Sequence, residues 1–202
     1  GTSNCYIVSA ANFSYCFNAT VKGNGNTDAL VGASIQTAID PKYVDIIWED
    51  EAVKEHFKLE TERVVEGKVL FKLIGALDQA GKPSGNALLS EGNVLVGVYD
   101  EANRAKEPSA REYLWTWHIW ITDKPQKQNY KKGYVALDRN LGATAPGPEP
   151  GPEGDDYSKM DGLFYQWGRP TPFRLIEENS TIKVDGRKEY ARVTPDVAVA
   201  NP

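Results

Sequence analysis

"EYLWTWHIWITD", residues 112–123, carries three tryptophans within six positions, with one of the chain's two histidines between them. The segment is rich in aromatic and β-branched residues, which suits a pleated strand. Alternate side chains of a strand face opposite sides. Trp115, Trp117, Ile119 and Ile121 then share an apolar face that belongs to a core. Leu114, Thr116, His118, Trp120 and Thr122 share a mixed face, either half-buried or turned to a cleft. Trp115 and Trp117 are expected to be core, and Trp120 and His118 are the two placed to serve a ligand.

The rest of the chain reads in the same way. "CYIVSA" (5–10), "VDIIWED" (44–50), "RVVEGKVLFKLIG" (63–75), "NALLSEGNVLVGVYD" (86–100), "KGYVALDRNL" (132–141), "GLFYQWG" (162–168) and "STIKVDGRKEY" (180–190) are short and strand-like, with Gly, Asn, Asp or Pro between them. "VVEGKVLF", "LLSEGNVLVGV" and "KVDGRKEY" read as hairpins with glycine at the turn. Helix candidates are few: "DEAVKEHFKLE" (50–60) suits a turn or two, and "SKMDGLFYQWG" opens with a short helix capped by Ser158. The fold class is mainly antiparallel β with little helix, as a single domain. "ATAPGPEPGPEGDDY" (143–157) holds four of the twelve prolines and reads as an exposed Pro/Gly-rich loop that packs no core. "DEANRAKEPSARE" (100–112) reads as a second, charged loop.

The 202 residues suffice for a real core, and the net charge of −5 is explained by solubility alone. No basic patch stands out in the composition, which argues against nucleic acid or an anionic membrane as partner. No apolar run approaches the ~20 residues that span a bilayer. Gly1 reads as a cut start and "VAVANP" as a cut end, so the chain is expected to be part of a longer exported protein.

Cys5 and Cys16 flank the polar turn "SAAN". A hairpin centred between Ala10 and Ala11 places them opposite each other, close enough for a disulfide; two buried free thiols are the alternative. No Cys/His spacing suggests zinc, and no EF-hand spacing suggests calcium, so no metal or cofactor is assigned.

His118 is either a buried histidine hydrogen-bonded to a neighbour or a base, and a base needs a nucleophile or proton partner in reach. Nucleophile-elbow, HExxH, P-loop and dinucleotide motifs are lacking. The second aromatic cluster, "GLFYQWGRPTPF" (162–173), sets Phe164, Tyr165, Trp167 and Phe173 beside Arg169. Rings beside a guanidinium suit a sugar or a peptide, but a plain core edge is the favoured reading, because any β core holds many aromatic residues. In "LDRNLG" (137–142), Asp138 and Arg139 point to opposite faces of a strand and do not pair. Arg139 or Asn140 then ties the following loop to the body through backbone hydrogen bonds, or contributes to a ligand site.

"SNCYIVSA", "WTWHIWITD", "LDRNLGAT" and "GLFYQWGRPTPF", in that order, resemble a module of exported Bacteroidetes proteins. It is similar to the Fibrobacter-type major paralogous domain group and its relatives on fimbrillin-like and fimbrial-tip proteins. The resemblance implies a C-type-lectin-like fold in which Trp115, Trp117, Trp120, Leu141 and Trp167 form the aromatic framework. The calcium- and sugar-binding tripeptides of calcium-dependent lectins are missing; "KEPSA" (106–110) offers Glu-Pro without Asn. The resemblance therefore implies fold more than sugar binding.

The function expected is a non-catalytic module at the cell surface or on a fimbria, recognising glycan or protein. Its candidate ligand residues are Trp120, His118, Arg139, Asn140, Tyr165 and Arg169. The alternative is a structural subunit or stalk domain of a surface fibre, with other fibre subunits as partners. A polysaccharide hydrolase is the remote third, since no pair of carboxylates sits on rigid strands near the aromatic clusters.

Overall fold

The computed structural model describes residues 3–23, 37–151, 154–165, 170–173, 175–178 and 181–184. In chain order the strands are β1 (Cys5–Val8), β2 (Phe13–Asn18), β3 (Tyr43–Glu49), β4 (Phe57–Leu59), β5 (Lys68–Leu73), β6 (Gly92–Tyr99), β7 (Trp115–Ile121), β8 (Lys127–Asn129), β9 (Val135–Leu137), β10 (Glu149–Gly151), β11 (Gly154–Asp156), β12 (Leu175–Glu178) and β13 (Thr181–Val184). Helical residues among those described are confined to three-residue 3-10 turns, so the fold is mainly β as expected.

The principal sheet has the order β1-β7-β6-β3, with β1 parallel to β7 and the other pairings antiparallel. A second, antiparallel sheet has the order β2-β5-β4. Three antiparallel pairs complete the set: β8–β9, β10–β11 and β12–β13. Period-two alternation on β6 and β7 aims Val94, Val96, Val98, Trp115, Trp117, Ile119 and Ile121 at one core. From the second sheet Phe17, Phe57, Val69, Phe71 and Leu73 enter the same core. The Phe17 and Trp117 rings lie 5.1 Å apart, and such pairs add about 1 kcal/mol beyond area burial.

The mixed face of β7 is also buried, so the whole strand is interior. Segments further along the chain cover it. Thr116 donates its hydroxyl to the Pro170 carbonyl at 2.7 Å, and Trp120 donates its indole N–H to the Ala143 carbonyl at 3.0 Å. On β6 the same face carries Asn93, Leu95 and Gly97. Gly97 has no side chain for a packing reason: a Cβ there would stand 2.5 Å from the Tyr113 ring and 2.6 Å from Ile47.

Several expectations need correction. β1 and β2 form no hairpin: Cys5 pairs with His118 and Cys16 with Leu70, in different sheets, and both thiols are free. The "SAAN" turn is instead a crossing between sheets. Asn12 adopts φ 62° there, accepts from the Gly75 N–H at 2.8 Å, and donates to the Ala76 and Gly85 carbonyls at 3.0 Å. Asparagine is among the few residues that tolerate this left-handed conformation. The "EGKV" hairpin turn is present as the Val65–Lys68 bridge, but "LLSEGNV" makes none, because β6 pairs with β3 and β7. Residues 51–56 form turns that lead into β4, not a helix. Ser158 lies inside a 3-10 turn whose cap position is Tyr157. Within 143–157, Ala143 and Ala145 are buried and β10–β11 pair, so this segment does contribute to packing. Leu141 is exposed and builds no framework. Trp167, Arg169 and the Asp-Gly of "KVDGRKEY" lie outside the described residues.

Candidate functional site

His118 is the centre of a polar network inside this apolar body. Its position on β7 brings Asn93 of β6 to one ring nitrogen and Cys5 of β1 to the other. Nε2 is 2.8 Å from Asn93 Oδ1. The Asn93 amide is oriented by its own bonds: Nδ2 donates to Asp50 Oδ2 at 2.9 Å and to the Gly142 carbonyl at 3.0 Å. Asp50 Oδ2 also accepts the Asn93 backbone N–H at 2.7 Å. Oδ1 is therefore the acceptor, which assigns the imidazole proton to Nε2 and leaves a bare lone pair on Nδ1. Gly142 is held at φ 91°, and a Cβ would meet Leu163 at 2.7 Å, so its carbonyl reaches Asn93 only with glycine there.

Two proton donors face that lone pair. Tyr165 Oη is 2.7 Å from Nδ1 and Cys5 Sγ is 3.2 Å from it. Tyr165 is 45 % exposed as a residue, yet its hydroxyl turns inward. Burial lowers the His118 pKa to about 3 and raises the Cys5 thiol to about 12. It raises the Tyr165 phenol too, with Cys5 adding to the effect. All three groups are neutral near pH 7.

Trp120 and His118 are therefore not open to a ligand: both are buried, at 0 % and 1 % exposure. Trp120 is a packing residue whose N–H fastens Ala143.

Arg139 is also interior, and it does pair with Asp138, because β9 ends at Leu137 and the chain bends after it. Nε is 3.0 Å from Asp138 Oδ1, and Nη1 donates to Asp123, to Thr122 Oγ1 at 3.0 Å and to the Thr144 carbonyl at 3.3 Å. Burial works against the guanidinium's charge, but the two carboxylates outweigh it and its pKa is raised. Asn140 Nδ2 donates to the Met160 carbonyl at 3.4 Å. The expected tie from these residues to the following loop is thus present, and the strand-face argument against an Asp138–Arg139 pair is overturned.

Beside Arg139 lie two open depressions, of about 500 and 200 Å³. The larger is walled by Glu91, Asp123, Arg139, Glu149 and Lys159, with no aromatic ring. Neither Trp120 nor His118 lines either one. Among the described residues no three His, Cys, Asp or Glu side chains converge as a metal site.

An exposed aromatic surface lies elsewhere. β8, β9 and the turn between them are exposed along their whole length. Tyr130 and Tyr134 bracket the turn, closed by the Tyr130 N–H on the Tyr134 carbonyl at 2.8 Å. Residues 124–137 hold Lys124, Lys127, Lys131 and Lys132 and no acidic residue. This local basic ribbon is invisible in a composition whose net charge is −5.

The sequence reading missed Asn93 and the role of Cys5. Alternation along "EGNVLVGVYD" does set Asn93 on a face with Leu95 and Gly97, but only the pairing of β6 with β7 brings it to His118. The parallel pairing of β1 with β7 leaves no local sequence signal. No family model, curated protein or solved structure matches this chain.

Proposed function

We propose that the chain is a non-catalytic recognition module of a cell surface, of the exported Bacteroidetes kind that its motifs resemble, and that it holds an anionic glycan on the β8–β9 ribbon. The observation that carries this reading is the ribbon itself. Tyr134 is 71 % exposed, and Tyr130 and Tyr134 flank Lys131 and Lys132 at the tip. Faces of exposed tyrosines stack on sugar rings, and ammonium groups without competing carboxylates attract acidic substituents. Recognition then belongs to the rim, while the indoles hold the body together.

The test is a glycan array carrying uronic-acid, sulfated and neutral oligosaccharides. Retention of acidic glycans, weakened by salt and lost in Tyr130→Ser/Tyr134→Ser and in Lys131→Gln/Lys132→Gln, supports the reading. A blank array with folded protein, or retention unchanged in both variants, overturns it.

A second reading is a fibre subunit. Among the described residues the outer edges of β8 and β9 have no strand beside them, and an open edge accepts a strand from another chain. Sedimentation showing concentration-dependent assembly favours this reading; a monomer at every concentration tested removes it.

A further inference from the structure

We propose that Cys5, His118 and Asn93 form a nucleophilic thiol site that accepts an acyl group from a thioester or activated ester, with Tyr165 as a competing proton donor on the base nitrogen. The inference goes beyond the recognition reading and does not rest on it. A histidine that serves packing alone needs one partner for each nitrogen. His118 has two donors on Nδ1, one of them a thiol, and an amide oxygen on Nε2 whose orientation is locked by Asp50 and Gly142. Nucleophile, base and orienting group are thereby in hydrogen-bond order, the arrangement that activates a cysteine.

Access is graded as the chemistry requires. The imidazole is buried, whereas Cys5 is only partly so. Thiol and imidazole rest as neutral partners, so the proton moves as the new bond forms and not before. Cys5 Sγ attacks the acyl carbonyl carbon while its proton passes to His118 Nδ1. The bond from that carbon to the leaving oxygen or sulfur breaks, and the leaving group departs with its electron pair and takes a proton from solvent, while His118 Nδ1 returns the thiol's proton to solvent. The product is a thioester on Cys5 and a released alcohol or thiol. Asn93 acts as a positioning residue that keeps Nδ1 free of its own proton. Tyr165 occupies the same lone pair, and removing its hydroxyl leaves the Cys5 S–H as sole donor.

The test uses p-nitrophenyl acetate, with release of p-nitrophenolate followed in time and acetylated peptides mapped by mass. Exposed Cys16 is a control within the same chain. Acetylation of Cys5 should outpace that of Cys16, and should accelerate in Tyr165→Phe, which keeps the ring. It should fall by about 100-fold or more in His118→Gln while Cys16 is unaffected. The ¹⁵N signals of His118 should report a proton on Nε2, and Asn93→Ala should lose that tautomer preference. Since His118→Gln alters the core, Tyr165→Phe decides if that variant does not fold. Equal acetylation of Cys5 in wild type and Tyr165→Phe, or Cys5 slower than Cys16 in both, overturns the proposal.

Discussion

Trp120 donates its indole N–H to the backbone carbonyl of Ala143 across 3.0 Å. The strand that builds the core therefore also fastens the start of the proline- and glycine-rich segment. This relationship separates the three neighbouring indoles: Trp115 donates to Asn4 Oδ1 at 2.9 Å, while Trp117 Nε1 has no acceptor among the described residues. Trp120→Phe strands a buried carbonyl, whereas Trp117→Phe removes only volume. Trp120→Phe should cost more stability than Trp117→Phe, by roughly 1–2 kcal/mol in urea unfolding. The opposite order would contradict the assigned bond.

His118 should tie stability to acidity. In the folded chain its pKa is lowered to about 3 by burial, while an unfolded histidine titrates near its usual value of about 6.5. Between these values the unfolded chain binds the proton and the folded chain does not. The contribution is fully present above about pH 6.5 and is lost as pH falls towards about 3, by on the order of 1 kcal/mol per pH unit. Urea midpoints of wild type and His118→Gln, compared across that window, should converge as pH falls. Parallel curves would show that His118 takes up its proton in the folded state.

Arg139 links three carbonyl or carboxylate groups that are brought together only by the fold, and its side chain is 2 % exposed. Arg139→Lys keeps the charge but loses the planar fork that meets Asp138 through Nε and Nη2. It should lower stability by about 2 kcal/mol and speed hydrogen exchange at Thr144, whose carbonyl it holds. Exchange confined to wild-type levels would remove Arg139 as the fastener of this loop.

Every residue of the β8–β9 ribbon, from Lys127 to Leu137, is exposed. Replacing residues 127–137 with a short glycine linker between Gln126 and Asp138 should leave the tryptophan emission maximum unchanged and the melting temperature nearly so, since surface changes stay within about 0.5 kcal/mol. A large loss of stability would place the ribbon in the body of the protein and out of the recognition surface.

What was legible in the sequence followed from local pattern. Alternation along residues 112–123 placed Trp115 and Trp117 in the core, and strand-rich segments pointed to a mainly β fold. What was hidden depended on distant pairing. The mixed face of β7 reads as half-buried or turned to a cleft because its covers, near Ala143, Tyr165 and Pro170, come later in the chain. Cys5 looked like a hairpin partner of Cys16 because alternation cannot tell a turn within one sheet from a crossing between two. The pairing of Arg139 with Asp138 is hidden because the bend after Leu137, which brings the two side chains together, has no signature in residue type.

The most direct measurement is acrylamide quenching of tryptophan fluorescence in a Trp167→Phe background, which leaves Trp48, Trp115, Trp117 and Trp120, all buried. Blue-shifted emission, quenched far more slowly than in the urea-unfolded chain, is the predicted result. Quenching near the unfolded rate for the indoles of β7 would show that strand open to water, and the division between an indole-built body and a recognition rim would fail.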